Sequence, residues 1–186
     1  MPTAGIILAA GGGTRFAGPG HKLRADAAGT PVVARALDAL VASRLELLAV
    51  VTGAVAIDDL VPAGVEIVPN AAWESGQASS LAAGVRWARA AGADAIVVGL
   101  GDQPGVRSES WHAVAAATAT PIAIATYDGH RGHPVRIHRD LWDRLPTEGD
   151  AGARALIAAS PGQVTEVPCA GDPLDVDTVE DLSRWR

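Results

Sequence analysis

The sequence predicts a single three-layer α/β domain with a mostly parallel sheet, and three observations carry that prediction. Short apolar runs rich in Val, Ile and Leu alternate with segments whose apolar residues recur at helical spacing, the rhythm of strand-helix crossover units. Hydrophobic residues make up 48% of the chain and aromatics only 4%, which implies a core of Ala, Val, Leu and Ile such as strands acquire when helices cover them. Two apolar runs stop abruptly, at Gly11 and at Gly101-Asp102, at strand ends where open α/β sheets bind ligands. With 186 residues, one full α/β core over 1–186 is expected.

The first strand, Gly5 to Ala10, feeds Gly11-Gly12-Gly13, and six of the ten residues from Gly11 to Gly20 are glycine or proline, so no regular element continues there. Consecutive glycines present unshielded backbone N–H groups to an anion, and Arg15 and Lys22 add positive charge to the same loop. The stretch reads as a triphosphate cradle. It is neither of two better-known glycine loops: a dinucleotide pattern begun at Gly11 meets Phe16 at its third glycine, and a P-loop pattern begun at Gly13 meets Pro19 where lysine belongs. Lys22 is also the only lysine in the chain, all other cations being arginine. A compact ammonium suits a phosphate whose geometry changes, whereas a guanidinium fork suits a fixed partner.

Further along, Thr30-Pro31 is expected to cap a helix through Val33, Leu37, Leu40 and Val41, with Pro31 at its first position. Leu47 to Thr52 is the second strand, followed by a short helix near Ala54 to Val61 and a strand at Val65 to Val68. Asn70 to Gly84 begins as a polar loop and becomes a helix to about Ala91, with Gly76, Ser79 and Ser80 near its start, where free N–H groups and hydroxyls can hold a nucleotide. Asp94 to Leu100 is the strongest strand. It delivers Asp102 to its carboxyl end, and Ser108-Glu109 is expected to cap the next helix, leaving Asp102 free as a metal ligand. Pro121 to Tyr127 is another strand, leading to a turn around Gly132-His133-Pro134. Near the end, Asp175 and Asp177 alternate on a short strand, and Thr178 with Asp181 forms a capping box.

Net charge is −6, which argues against non-specific nucleic-acid binding. No apolar run approaches a membrane span and no cleavable leader is evident, so a cytoplasmic protein is expected. The single Cys169 suits a packed core position better than a nucleophile.

The loop from Leu8 to Lys22 resembles the L-A-A-G-x-G-x-R-x-G-x-x-K motif of the molybdenum-cofactor nucleotidyltransferases, a family that includes molybdopterin cytidylyltransferases. Arg15 to Lys22 is about two residues longer than in that pattern. Asn70-Ala71-Ala72-Trp73-Glu74-Ser75-Gly76 with Ser80, Gly101-Asp102-Gln103-Pro104, Gly132-His133-Pro134-Val135 with Gly149 to Arg154, and Asp175-Val176-Asp177-Thr178 are similar to four further motifs of the family, in the same order. In the last, Val179 replaces the usual proline.

The resemblance implies a Rossmann-like nucleotidyltransferase fold with a mostly parallel mixed sheet. It implies nucleotide binding by Leu8, Ala9, Ala10, Gly11, Gly12, Gly13, Arg15, Lys22, Gly76, Ser80 and Asp102, with Lys22, Arg15 and Asp102 catalytic. Acceptor binding is expected at Gly132, His133 and Pro134, and Mg2+ at Asp102 and Asp177 with Asp175 as a supporting or alternate ligand. The expected reaction joins a nucleoside monophosphate, CMP from CTP foremost, to an anionic phosphorylated acceptor such as molybdopterin and releases pyrophosphate, with transient contact to a molybdoenzyme. Two alternatives stand beside it: an NAD(P)H-dependent reductase of the nicotine-blue type on the same fold, against which the missing dinucleotide fingerprint counts, and a non-catalytic cofactor carrier.

Overall fold

A computed structural model describes residues 2–185. In chain order its strands are β1 (Thr3–Ala9), β2 (Asp26–Ala27), β3 (Thr30–Pro31), β4 (Leu47–Thr52), β5 (Glu66–Pro69), β6 (Ala95–Leu100), β7 (Ile122–Tyr127), β8 (His130–His138) and β9 (Val164–Pro168). The helices are α1 (Val32–Ala42), α2 (Gln77–Ala90), α3 (Ser108–Ala116), α4 (Arg154–Ala158) and α5 (Val179–Leu182). Seven strands form one sheet in the order β5-β4-β1-β6-β8-β7-β9, and β2 pairs with β3 in a small hairpin. β5, β4, β1 and β6 run parallel, whereas β8 is antiparallel to both its neighbours. The expected mostly parallel mixed sheet is what the chain forms.

The period of two along β1 explains the layers. Ile6 and Leu8 face one side, in a cluster with Leu81, Val85 and Ala88 of α2. Ile7 and Ala9 face the other, in a cluster with Val33, Leu37 and Leu40 of α1 and Trp111 and Val114 of α3. Both faces of the central strand are therefore buried, and its near-continuous apolar run has no polar alternation to show. Two glycines let helices close on it. A methyl at Gly5 would stand 2.5 Å from Leu40 Cδ1, and one at Gly84 of α2 would stand 3.1 Å from Ile6 Cγ2.

This arrangement gathers the loops after β1, β4 and β6 at one edge of the sheet. The edge is laced together by backbone bonds: Ala54 N–H donates to Ala10 C=O, Gly101 N–H to Leu8 C=O, Asn70 N–H to Thr52 C=O and Val176 N–H to Asp102 C=O. The last of these draws the C-terminal segment back across the end of β6.

Several local expectations are corrected. Thr30 and Pro31 belong to β3, and Pro31 is itself the N-cap of α1 without a side-chain cap bond; pairing Ala27 with Thr30 uses the threonine backbone in the hairpin. Between Ala54 and Val61 only one 3-10 turn forms, Asp58–Leu60. Ser108 lies inside α3, whose N-cap is Arg107 with no side-chain bond, and the Ser108 hydroxyl bonds Glu109 instead. Gly132, His133 and Pro134 lie within β8, and the hairpin turn falls earlier, at Asp128-Gly129. Asp175 and Asp177 sit on irregular backbone rather than a strand, because their neighbours are the 101–106 loop and not a ladder. The Thr178/Asp181 capping box of α5 forms as the spacing predicts.

Candidate active site

The carboxyl edge of β1 opens into a cavity of about 340 Å³ lined by Leu8, Ala10, the three glycines Gly11 to Gly13, Arg15, Lys22, Gly76, Ser80, Asp102 and Asp177. That volume is in the range of small-ligand sites. Of the residues expected to bind nucleotide, all but Ala9 line it; Ala9 is buried beneath, in the α1-side core.

The glycine loop is held open by local bonds. His21 bonds the Gly11 carbonyl oxygen through Nε2 at 3.0 Å and accepts from Leu23 N–H through Nδ1 at 3.2 Å. Since Nδ1 accepts a backbone proton, Nε2 is the protonated nitrogen and the ring is neutral. Burial lowers its pKa, Lys22 adds to the effect, and the Gly11 carbonyl opposes it. Gly13 has φ +60 and its missing Cβ would lie 3.0 Å from His21 Nε2, so the turn needs glycine for both conformation and space.

Lys22 Nζ donates to Asp102 Oδ2 at 2.6 Å and to Asp177 Oδ1 at 2.8 Å, and Arg15 Nη1 lies 3.0 Å from the other Asp177 oxygen. Burial works against the ammonium, but Asp102 and then Asp177 more than offset this and raise its pKa above the ordinary lysine value. Residues 80 and 155 positions apart from Lys22 in sequence thus converge on one point. Asp175 stands aside: Gln103 Nε2 donates to it at 2.8 Å. Burial, and next the charge of Asp102, raise its pKa, while the Gln103 bond opposes them.

Two carboxylate oxygens within 2.8 Å of a common point fit a hard divalent ion, which takes one or two carboxylates and completes its shell with water and phosphate oxygens. Among the described residues no group of three or more His, Cys, Asp or Glu gathers around a single metal position; Asp102 and Asp177 are the two cavity carboxylates that meet at one point, Glu74 and Asp150 lining it elsewhere.

A further part of the cavity wall is built on the start of α2. Gly76, at φ 106, packs so tightly that a Cβ would meet the Gly149 carbonyl at 2.5 Å, and Ala78 N–H donates to Gly149 C=O while Gly149 N–H donates to Ser75 C=O. Trp73, Glu74, Gln77 and Asp150 also line the cavity. None of these four is assigned to nucleotide by the sequence, although Trp73, Glu74 and Asp150 lie inside quoted motifs, and only the fold shows that the Gly149-Asp150 loop leans onto α2.

Gly132, His133 and Pro134 are not part of this lining. Tyr127 Oη donates to the His133 carbonyl at 2.8 Å. Loss of water pushes the His133 pKa down to about 4, with Arg154 adding to the effect and Asp102 opposing it, so the imidazole is neutral at neutral pH and electrostatically coupled to the Asp102 end of the site.

A family model for the MobA-like NTP transferase domain matches residues 5–164, spanning the glycine loop, the start of α2 and the end of β6. The chain belongs to the MobA-like NTP transferase family. The curated Purine catabolism protein PucB of Bacillus subtilis (strain 168) is 32% identical over 117 residues, which are 61% of this chain and 57% of that protein; the match thus spans little more than half of that relative's length. The structure of Rv0371c from Mycobacterium tuberculosis H37Rv is 28% identical with a TM-score of 0.84, covering 99% of this chain and 97% of that one. That protein has also been solved as a complex with manganese. A nucleotidyl transferase from Methanothermobacter, Mth528, shares the fold at a TM-score of 0.85 and 23% identity over 100% of this chain and 96% of its own. The C-terminal segment that supplies Asp177 lies beyond the residues the family model matches, so geometry rather than family placement brings it to the site. Among the described residues no helix is long and apolar enough to cross a membrane.

Proposed function

We propose that this protein is a Mg2+-dependent nucleotidyltransferase that moves a nucleoside monophosphate, CMP from CTP foremost, onto an anionic phosphorylated acceptor, with molybdopterin as the leading acceptor. The observation that carries the reading is the meeting of Lys22, Asp102 and Asp177 at the mouth of a glycine-loop cavity. Arg15 and Lys22 belong to the glycine loop, and Glu74 and Asp150 line the cavity beside the start of α2. A nucleotide is oriented by that layout, its phosphates toward the loop and its base toward α2, and carboxylates at the base end favour a base bearing an amino group.

In the reaction an acceptor phosphate oxygen attacks the α-phosphorus, a new P–O bond forms, and the bond to the β-phosphate breaks, so pyrophosphate departs with the electron pair. Gly11 to Gly13 amides and Arg15 hold the departing phosphates, and Lys22 neutralises charge at the phosphorus. Mg2+ held by Asp102 and Asp177 would supply further neutralisation of phosphate charge. Asp175, oriented by Gln103, supports that pair. Neutral His133 and its strand neighbours Gly132 and Pro134 serve the acceptor, near enough to Asp102 to feel its charge and outside the nucleotide cavity. The reaction is placed in the cytoplasm, with brief contact to the molybdoenzyme that receives the product.

Pyrophosphate release measured with CTP, GTP, ATP and UTP, each with and without Mg2+ and molybdopterin, tests this reading. Metal-dependent release highest with CTP and dependent on the acceptor is expected. A thermal shift with NADPH that needs no metal, and no release with any triphosphate, would instead indicate a reductase.

A further inference from the structure

Asn70 follows β5, is 6% exposed, and takes no part in the lining of the cavity. Its amide is nonetheless fully engaged. Oδ1 accepts from Ala72 N–H at 3.1 Å, and Nδ2 donates to Ser79 Oγ at 2.9 Å and to Ser80 Oγ at 3.1 Å. A backbone N–H can only donate, so the amide oxygen must face Ala72 and the NH2 group must face the serines. Both hydroxyl oxygens are therefore acceptors here. Ser79 passes its own proton to the carbonyls of Ala72 and Gly76, at 3.0 and 2.9 Å. Ser80 has no such outlet among the described residues, and it is Ser80 that borders the cavity.

We propose that Asn70 is a positioning residue that holds the Ser80 hydroxyl oxygen at the cavity wall and leaves its proton free for a neutral acceptor atom on the nucleobase. The inference rests on the nucleotide-site reading above. A hydroxyl carries one proton and two acceptor lone pairs; the Asn70 amide takes one lone pair of Ser80 Oγ, and the proton, with no protein acceptor among the described residues, is left for a ligand at the cavity wall. The cations belong to the glycine loop, while Ser80 lies on α2, beside whose start Glu74 and Asp150 line the cavity and repel phosphate. A base carbonyl oxygen or ring nitrogen is the partner left. Such a device favours a base with an acceptor at that edge, because that partner takes up the proton that the protein leaves unpaired.

Asn70→Asp tests the direction of the proton. The carboxylate still accepts from Ala72 N–H, but it offers Ser80 an acceptor in place of a donor, so the hydroxyl turns inward and the base loses its bond. Dissociation constants are measured for CTP·Mg2+ and for inorganic tripolyphosphate·Mg2+, which carries the phosphates without a base. Asn70→Asp is expected to weaken CTP about tenfold or more, raising KM with little change in kcat, while tripolyphosphate binding stays within about twofold. Ser80→Ala, which keeps Asn70, is expected to do the same with unaltered melting temperature, and the double variant is expected to be no worse than Ser80→Ala alone. Ser80→Ala provides the test if Asn70→Asp does not fold. Wild-type CTP affinity in Ser80→Ala, or equal loss of CTP and tripolyphosphate in either folded variant, overturns the positioning role. Wild-type protein that binds neither probe overturns the nucleotide reading and this inference together.

Discussion

The Nζ of Lys22 stands 2.6 Å from Asp102 Oδ2, with only 11% and 18% of the two side chains exposed, so the sole lysine of the chain fills the space between the two aspartates proposed to hold metal. An ammonium and a divalent ion cannot both occupy that point. Lys22 must swing toward phosphate as the aspartates take up metal, a movement suited to a flexible stem with a point charge. Without nucleotide, Lys22→Met is therefore expected to bind Mn2+ about tenfold more tightly than wild type, despite losing catalysis. Titration followed by electron paramagnetic resonance reads this directly, and weaker Mn2+ binding by the variant would show that the lysine does not compete.

Lys22→Ala is expected to lower the rate of pyrophosphate release about a hundredfold, the usual loss when one aligned electrostatic contact disappears. Lys22→Arg is expected to restore little, because the planar fork cannot fit the same point between two carboxylates. Rates near wild type in either variant would remove Lys22 from the mechanism.

Gly76→Ala is a stability prediction. The backbone at φ 106 is costly for any side chain, and the methyl would collide with Gly149 at 2.5 Å; a loss of about 2–4 kcal/mol is expected. The pair of backbone bonds between 75–78 and Gly149 would loosen with it, and nucleotide affinity should fall as the α2 end of the cavity opens. Denaturant unfolding and CTP titration check both parts.

His133 gives a pH dependence. Burial brings its pKa in the folded chain down to about 4, below the ordinary imidazole value of 6.5, so the unfolded chain binds the proton more readily than the folded one between those limits. Stability is full above pH 6.5 and is lost as pH falls toward 4, by up to about 3 kcal/mol from this group. His133→Gln should remove that part of the slope in a pH series of unfolding curves. At neutral pH, His133→Ala should raise KM for the acceptor and leave CTP affinity unchanged; the reverse pattern would move His133 to the nucleotide.

The parts of the molecule legible in the sequence are those that depend on one segment at a time. The apolar run into Gly11 specifies β1 and its loop, and the break at Gly101-Asp102 specifies the end of β6, because glycine and the carboxylate act locally. The capping box at Thr178 was legible for the same reason. Thr30-Pro31 misled because its local preference for a helix start lost to pairing with Asp26-Ala27 in a hairpin. What sequence could not supply is every contact made across the sheet edge. The meeting of Lys22 with Asp177 depends on Val176 bonding Asp102, and the place of Asp150 depends on Gly149 packing on Gly76. The tautomer-fixing bonds of His21 were equally invisible, since a histidine beside a glycine loop carries no sign of which carbonyl it will reach.

The most direct test is pyrophosphate release from CTP with Mg2+ and molybdopterin, compared between wild type and Asp102→Asn, a substitution that keeps the shape and removes the charge. Wild type should turn over in a strictly metal-dependent manner, and the variant should lose that turnover at least a hundredfold while still folding. Metal-dependent release by Asp102→Asn at the wild-type rate would contradict the assignment of the site.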